Sequence, residues 1–325
     1  MRTIKLGGTD LEVSRICFGT WQFGGDWGAI DEANAIAAAT RARELGVNFF
    51  DTAQAYGFGV SERLLARALQ GIPREDVVLA TKGGLRKAGG ELLRDSSPAW
   101  LREGLEASLR NLGTDCVDVY QVHWPDPGTP FAETAAALEE FVREGKARYV
   151  GASNFDASQI AEFGLTRPLD TLQPPYHMLR REIEESVLPY CREHDIGVLA
   201  YGPLAHGLLS GSFTRETRLA DDDWRRGSDL FSGENYERNL EIVERLRELA
   251  DELSITVAQL AIAWTLANPA VHVAIVGARR PDHIEGAAPA AAVQLDDEAM
   301  ARIDEILRQA ATVGGPTPEG VSERA

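Results

Sequence analysis

Eight times along the chain a short apolar run gives way to a stretch with helical spacing, and this alternation restricts the fold more than any single motif. The runs are Arg15–Gly19, Val47–Phe50, Asp76–Thr81, Val117–Val122, Ala147–Gly151, Leu169–Gln173, Gly197–Ala200 and Val271–Val276. Each has the length of a buried strand. Between them, apolar residues recur every three or four positions. Asp31 precedes Glu32–Leu45 with Gly46 after it, and Ser97-Pro98 opens Ala99–Leu112 with Gly113 after it, the usual caps of helices. Leu64, Leu65, Ala68 and Leu69 mark one helix face, and further helices are predicted over Glu133–Glu144, Ser158–Phe163, Ile183–His194, Val257–Leu266 and Pro281–Ala287. Parallel strands need crossovers, usually helices, so eight such units in 325 residues suit a closed (β/α)₈ TIM barrel better than two doubly wound halves.

Additions decorate that plan. Thr3 to Ser14 reads as an N-terminal β-hairpin turning at Gly7-Gly8-Thr9-Asp10. Gly211–Glu234, rich in Asp, Arg, Gly and Ser, is a long loop and Tyr236–Ser254 an extra charged helix, so 212–254 is an insertion before the helix at Val257. Asp296–Ala310 reads as another helix, and 312–325 as a flexible Gly/Pro/Glu tail. The expectation is one barrel domain over 1–325.

Composition narrows the function. A formal net charge of −17 opposes a protein that grips nucleic acid or an anionic membrane, because phosphate binding needs clustered cations. No segment approaches the roughly 18 uninterrupted apolar residues of a membrane span, and the first residues lack a signal-peptide core. Cys17, Cys116 and Cys191 are odd in number and widely spaced, which reads as free thiols of a reducing cytoplasm. His177, His194, His206, His272 and His283 show no metal-ligand spacing, so no metal is assigned.

The carboxyl ends of the eight runs are Gly19-Thr20-Trp21, Asp51, Lys82, His123, Ser153-Asn154, Gln173, Tyr201 and Gly277-Ala278-Arg279. In a barrel these ends converge on one face, where active sites are built. Asp51 ends a buried strand and needs a cationic partner, which Lys82 can supply. A tyrosine with an ordinary pKa of about 10 is a poor acid at neutral pH; Lys82 beside Tyr56 would lower it, and Asp51 would hold Lys82 protonated. With His123 sharing the substrate oxygen, the set suits proton delivery to a carbonyl. None of the four can supply hydride, so a cofactor is implied. Gly57-Phe-Gly59 is a decoy for the dinucleotide fingerprint, since Glu62 stands where its third glycine belongs.

These motifs resemble the aldo-keto reductases: Phe18-Gly19-Thr20-Trp21, the Asp51-to-Glu62 stretch with Tyr56 and Ser61, Thr81-Lys82, Val122-His123-Trp124-Pro125, Gly151-Ala-Ser153-Asn154-Phe155, Gln173-Pro-Pro-Tyr176, Tyr201-Gly-Pro-Leu204-Ala and Gly277-Ala-Arg279. They run through nearly the whole chain. The resemblance implies NADPH as cofactor and a small-molecule aldehyde or ketone as substrate, with Tyr56 the general acid, Lys82 and Asp51 tuning it and His123 orienting the carbonyl. Ser153, Asn154 and Gln173 would hold the carboxamide and Tyr201 would stack on the nicotinamide. The backbone of Gly202, Pro203 and Leu204 and the Leu208–Gly211 segment with Ser210 would follow the pyrophosphate. Arg279 would meet the 2′-phosphate. Gly19, Thr20, Trp21, Gly277 and His283 complete the cofactor set, and Trp21, Phe58 and Trp124 would wall the substrate pocket.

Two departures stand out. Many relatives carry Pro before the last glycine and a Glu-Asn pair about ten residues on, where this chain has Val276 and Gly286-Ala287; fewer adenine contacts are expected, with NADH as an alternative cofactor. His206 replaces a common glycine and would touch the pyrophosphate. Two rival functions fit the same residues: an aldolase with Lys82 as Schiff-base nucleophile, opposed by the Asp51 charge, and a nicotinamide-binding redox sensor acting as a partner subunit. Nothing in the sequence sets an oligomeric state.

Overall fold

The computed structural model describes residues 1–25, 27–221 and 223–311. The first hairpin pairs β1 (Thr3–Lys5) with β2 (Glu12–Ser14), Ile4 opposite Val13. Then come β3 (Ile16–Gly19), β4 (Phe49–Asp51), β5 (Val78–Gly83), a second hairpin of β6 (Leu85–Ala88) and β7 (Glu91–Arg94), β8 (Val117–Val122), β9 (Ala147–Ser153), β10 (Thr171–Gln173), β11 (Gly197–Tyr201) and β12 (Val273–Gly277). Without the two hairpins these are the eight predicted strands, displaced by up to two residues at either end. Each pairs in parallel with the next in sequence, and β12 closes on β3 with Gly277 opposite Gly19. The result is the predicted (β/α)₈ barrel.

The helices are α1 (Glu32–Glu44), α2 (Val60–Ala68), α3 (Pro98–Leu112), α4 (Phe131–Arg143), α5 (Ala157–Gly164), α6 (Val187–Glu193), α7 (Gly233–Glu252), α8 (Val257–Ala267), α9 (Pro281–Ala287) and α10 (Asp297–Leu307). Their caps follow the sequence. Asp31 accepts from the Asn34 amide at the start of α1, Pro98 opens α3, and Gly113 ends it at φ 68°. Helix ends shift by up to three residues, α7 starting at Gly233 within the predicted loop and α10 ending at Leu307, and one predicted helix is divided. The stretch predicted as a single helix over Ile183–His194 is a 3₁₀ turn at Glu182–Glu184, a break at Ser186 (φ −138°), and then α6. Pro189 explains it: a proline is tolerated in a helix's first turn but not far inside one, so the helix restarts two residues before it. The β6/β7 hairpin was not anticipated, although Gly89-Gly90, at φ 61° and 91°, carries the signature of a two-residue turn. The predicted tail at 312–325 lies outside the described residues. Among the described residues no single helix is long and apolar enough to cross a membrane.

Strand alternation divides the core in two. Phe18, Phe50, Leu79, Tyr120, Val122, Val150, Leu172, Val198 and Val276 face outward into the layer between barrel and helices. Cys17, Phe49, Val78, Ala80, Val119, Leu199, Val273 and Ile275 fill the interior, closed below by Leu6, Leu11 and Val13 of the first hairpin. That hairpin is fastened by the Gly8 amide donating to the Asp195 carbonyl at 2.7 Å. With the lower end plugged by hydrocarbon, the polar inward residues are left at the carboxyl end.

Candidate active site

The inward positions at the upper ends of β4, β5, β8 and β10 are Asp51, Lys82, Gln121 and Gln173, at most 3% exposed. Register brings them together: Lys82 lies opposite Gln121, and Gln121 opposite Gly151. The Lys82 ammonium donates to Asp51 Oδ1 at 2.5 Å, to the Thr52 carbonyl at 2.9 Å and to Tyr56 Oη at 3.2 Å. Its three protons are therefore aimed at a carboxylate, a carbonyl and a phenol. The other Asp51 oxygen accepts from Gln173 Nε2 at 2.9 Å and Gln121 Nε2 at 3.3 Å. The buried pair is thus satisfied on every side, the condition under which burial of charge is tolerated.

Tyr56 sits on the loop between β4 and α2, and the rest of that motif holds it there. Ser61 Oγ donates to the Thr20 carbonyl at 2.9 Å and approaches the Thr52 hydroxyl at 3.0 Å, tying two strand ends to the helix. Glu62, fully buried, accepts from Thr81 Oγ1 at 2.8 Å and Asn111 Nδ2 at 2.9 Å, which fastens the helix to the strand carrying Lys82. Gly57 and Gly59 take φ 63° and 93°, and a Cβ on Gly57 would strike the Gly24 carbonyl at 2.7 Å. The Tyr56 and His123 rings meet edge to face at 5.6 Å. Burial, then the nearby Lys82 charge, holds His123 well below the usual histidine range, so its imidazole is neutral at ordinary pH.

An open cavity of about 550 Å³ extends from this floor across the barrel mouth. Gly19, Thr20, Trp21, Asp51, Tyr56, His123, Ser153, Gln173, Tyr201, Gly202, Pro203, Leu204, His206, Ser210, Gly277, Arg279 and His283 all line it. The other expected site residues stand off it. Lys82 lies beneath Tyr56. Asn154, at φ 65°, donates to the His123 carbonyl at 3.0 Å and accepts from the Tyr201 hydroxyl at 2.9 Å, so it braces two wall residues. Leu208 is buried in the outer core, and Gly211 at φ 79° ends the turn, its carbonyl accepting from Arg247. Phe58 and Trp124, expected to wall the substrate pocket, do not line the cavity. Phe58 is 40% exposed at φ 45° between its two glycines, and the Trp124 ring is covered by the Arg94 guanidinium at 5.1 Å.

Residues not singled out in the sequence stand at this edge: Trp27 and Arg225 line the cavity, and Trp224 packs against its tryptophans from outside. Trp27 packs edge-on against Trp21 (5.1 Å), and Trp224, from the long loop after β11, stacks on Trp21 (5.9 Å). Arg225 lies over Trp27 at 5.0 Å, pairs with Asp223 and donates to the His206 carbonyl at 3.1 Å. His206 itself has φ 57°, a conformation that favours the glycine it replaces; burial and the charges of Arg180 and Arg225 push its pKa down to about 4. Loop tryptophans carry no periodic signal, so only the fold discloses their convergence. At the far end Arg279 donates to the Trp27 and Ala29 carbonyls at 3.1 and 2.7 Å. Among the described residues no three His, Cys, Asp or Glu side chains are grouped as a metal site.

Residues 15–308 match the model of the Aldo/keto reductase family. The chain belongs to that family. This oxidoreductase is 39% identical over 319 residues to an aldo-keto reductase of Bacillus subtilis, covering 97% of this chain and 96% of that one. It is 37% identical over 313 residues to the NADH-specific methylglyoxal reductase of Escherichia coli, covering 91% and 95%. Among solved structures, the glycerol dehydrogenase of Gluconobacter oxydans superimposes with a TM-score of 0.89 at 38% identity, covering 97% of this chain and 98% of that one.

Proposed function

We propose that this reductase converts aldehydes or ketones to alcohols with a nicotinamide cofactor, Tyr56 giving the proton. The observation that carries the reading is the Lys82 ammonium, 3.2 Å from the Tyr56 oxygen and 2.5 Å from Asp51. A positive charge at that distance stabilises the phenolate left when the proton departs. Neutral His123 has an N–H to share with the same substrate oxygen and orients the carbonyl toward Tyr56. Trp21 stacks alongside Tyr56, with centroids 6.4 Å apart and planes at 28°, and keeps that flank apolar.

The cavity residues fit a dinucleotide. Gly202, at φ 68°, and Gly286 line the cavity at its two ends, each with no atom within 4 Å of where its Cβ would stand, so the backbone there is open to a ligand. Bound there, the nicotinamide supplies the hydride. Ser153, Gln173 and Tyr201 line the cavity; the first two would hold the nicotinamide carboxamide and Tyr201 would stack on the ring. The backbone from Gly202 to Leu204, with His206 and Ser210, follows the diphosphate. Arg279 and His283 meet the adenosine end, which favours NADPH, with NADH as a second cofactor. Relatives named for methylglyoxal and glycerol point to small oxygenated three-carbon substrates. The proposed compartment is the cytoplasm, where the three free thiols stay reduced.

The test is NADPH consumption across an aldehyde panel headed by methylglyoxal, with Tyr56→Phe as control. The expected outcome is a loss of turnover of about 10³-fold or more in that variant with NADPH binding intact. Turnover within tenfold of the parent would remove Tyr56 as the acid.

A further inference from the structure

Gln121 is fully buried inside the barrel, on the inward face of β8 between Val119 and His123. A primary amide in such a place is costly unless both its ends are partnered. Here the partners are specific. Its Nε2 donates to Asp51 Oδ2 at 3.3 Å, and its Oε1 lies 3.5 Å from Gln173 Nε2, which itself donates to Asp51 Oδ2 at 2.9 Å. The space on the neighbouring strand is tight: a Cβ on Gly151 would strike Thr171 Oγ1 at 2.1 Å and come within 3.1 Å of Gln121 Cγ.

We propose that Gln121 is a positioning residue for the proton donor, its amide and that of Gln173 clamping one oxygen of Asp51 so that the other alone faces Lys82. This rests on the reading of Tyr56 as the acid. With Oδ2 occupied by two amide donors, part of the carboxylate charge is balanced without the ammonium, and Lys82 Nζ can stay shared between Asp51 and the Tyr56 oxygen. Without the Gln121 amide, Oδ2 keeps only the Gln173 donor, more of the carboxylate charge falls on the ammonium, which withdraws from the phenol, and Tyr56 becomes a weaker acid. The titratable groups around this point are Lys82 from β5, Tyr56 from the loop after β4, His123 after β8 and the Cys17 thiol from β3. Cys17 is fully buried and His123 nearly so, and burial keeps both uncharged at neutral pH.

The test is Gln121→Met in the full chain, which keeps the volume and removes the amide. The expected result is a fall in kcat of about tenfold or more, with the alkaline limb of the kcat profile displaced upward by about half a pH unit or more, because a weaker phenol loses its proton later. Cofactor affinity, read by quenching of protein fluorescence, is expected to stay within about twofold, and in a Lys82→Met background the same change is expected to cost less than about twofold, since no shared ammonium is left to position. Gln121→Asn, whose amide is one methylene too short, should reproduce the displaced limb if the methionine variant folds poorly. An unchanged kcat, a lower kcat with an unmoved pH profile, or an equal loss in the Lys82→Met background would each overturn the proposal and leave Gln121 as packing. Failure of the acid reading looks different: Tyr56→Phe would then keep its turnover whatever Gln121 does.

Discussion

At the floor of the barrel mouth Asp51, Lys82, Gln121 and Gln173 are buried and joined by bonds of 2.5 to 3.3 Å, whereas at the rim Trp21, Trp27 and Trp224 meet through ring contacts at 5.1 to 5.9 Å. The floor stands on strands whose mutual register is set by the barrel ladder. The rim stands on loops held by stacking and by Arg225. A charged network on rigid strands holds the Tyr56 hydroxyl at fixed geometry, while stacked loop residues can be exchanged without disturbing it. If Tyr56 is the acid as proposed, the groups that tune it and the aromatic residues at the rim are held by different kinds of force.

That contrast can be broken most sharply at Lys82. Lys82→Met leaves Asp51 buried without its cation, so unfolding free energy should drop by about 3–5 kcal/mol and kcat by about 10²-fold or more. Denaturant titration and single-turnover kinetics measure the two effects, and a variant as stable as the parent would mean that the ion pair does not hold the floor. Acidification touches floor and rim together. His123 and His177 are both buried and held well below the normal range, chiefly by desolvation. A histidine depressed on folding is protonated first in the unfolded chain, so stability is full above the unfolded pKa of about 6.5 and falls as pH drops below it. His206, down to about 4, adds to the loss until that pH is reached. Melting at pH 7 and pH 5 gives the comparison; a higher melting temperature at pH 5 would contradict it.

Arg279→Ala acts on the rim only. Removing a guanidinium expected at the 2′-phosphate should weaken NADPH by about 10- to 100-fold and NADH much less, as read by fluorescence titration. Equal losses would mean that the 2′-phosphate is read elsewhere. The smallest effect is expected from Trp224→Ala, which removes ring contacts worth about 0.5–1.5 kcal/mol each. KM for the carbonyl should change by about 3- to 10-fold while kcat stays within about threefold. If kcat collapsed instead, floor and rim would be one coupled unit.

The floor was largely legible because barrel topology converts position into proximity. Asp51, Lys82 and His123 each end an apolar run, and a closed barrel brings such ends to one mouth. Gln121 escaped notice although it shares the inward parity of Val119 and His123; alternation within β8 was the available signal. Phe58 and Trp124 are pocket walls only as the family resemblance implies. In the structure neither lines the cavity: Phe58 stands at positive φ and the Trp124 ring packs under Arg94.

By itself the sequence determined the alternation of strands and helices, the polar strand ends and the family, because these depend on local periodicity and on residues adjacent along the chain. Only the tertiary structure decided which side chains share the Asp51 carboxylate, that Trp27 and Trp224 meet over Trp21, and that Arg279 reaches the loop carrying Trp27. The amide donors to Asp51 and the Arg279 contact join residues 70 to 252 positions apart, and the geometry that makes them neighbours exists only once the barrel has closed.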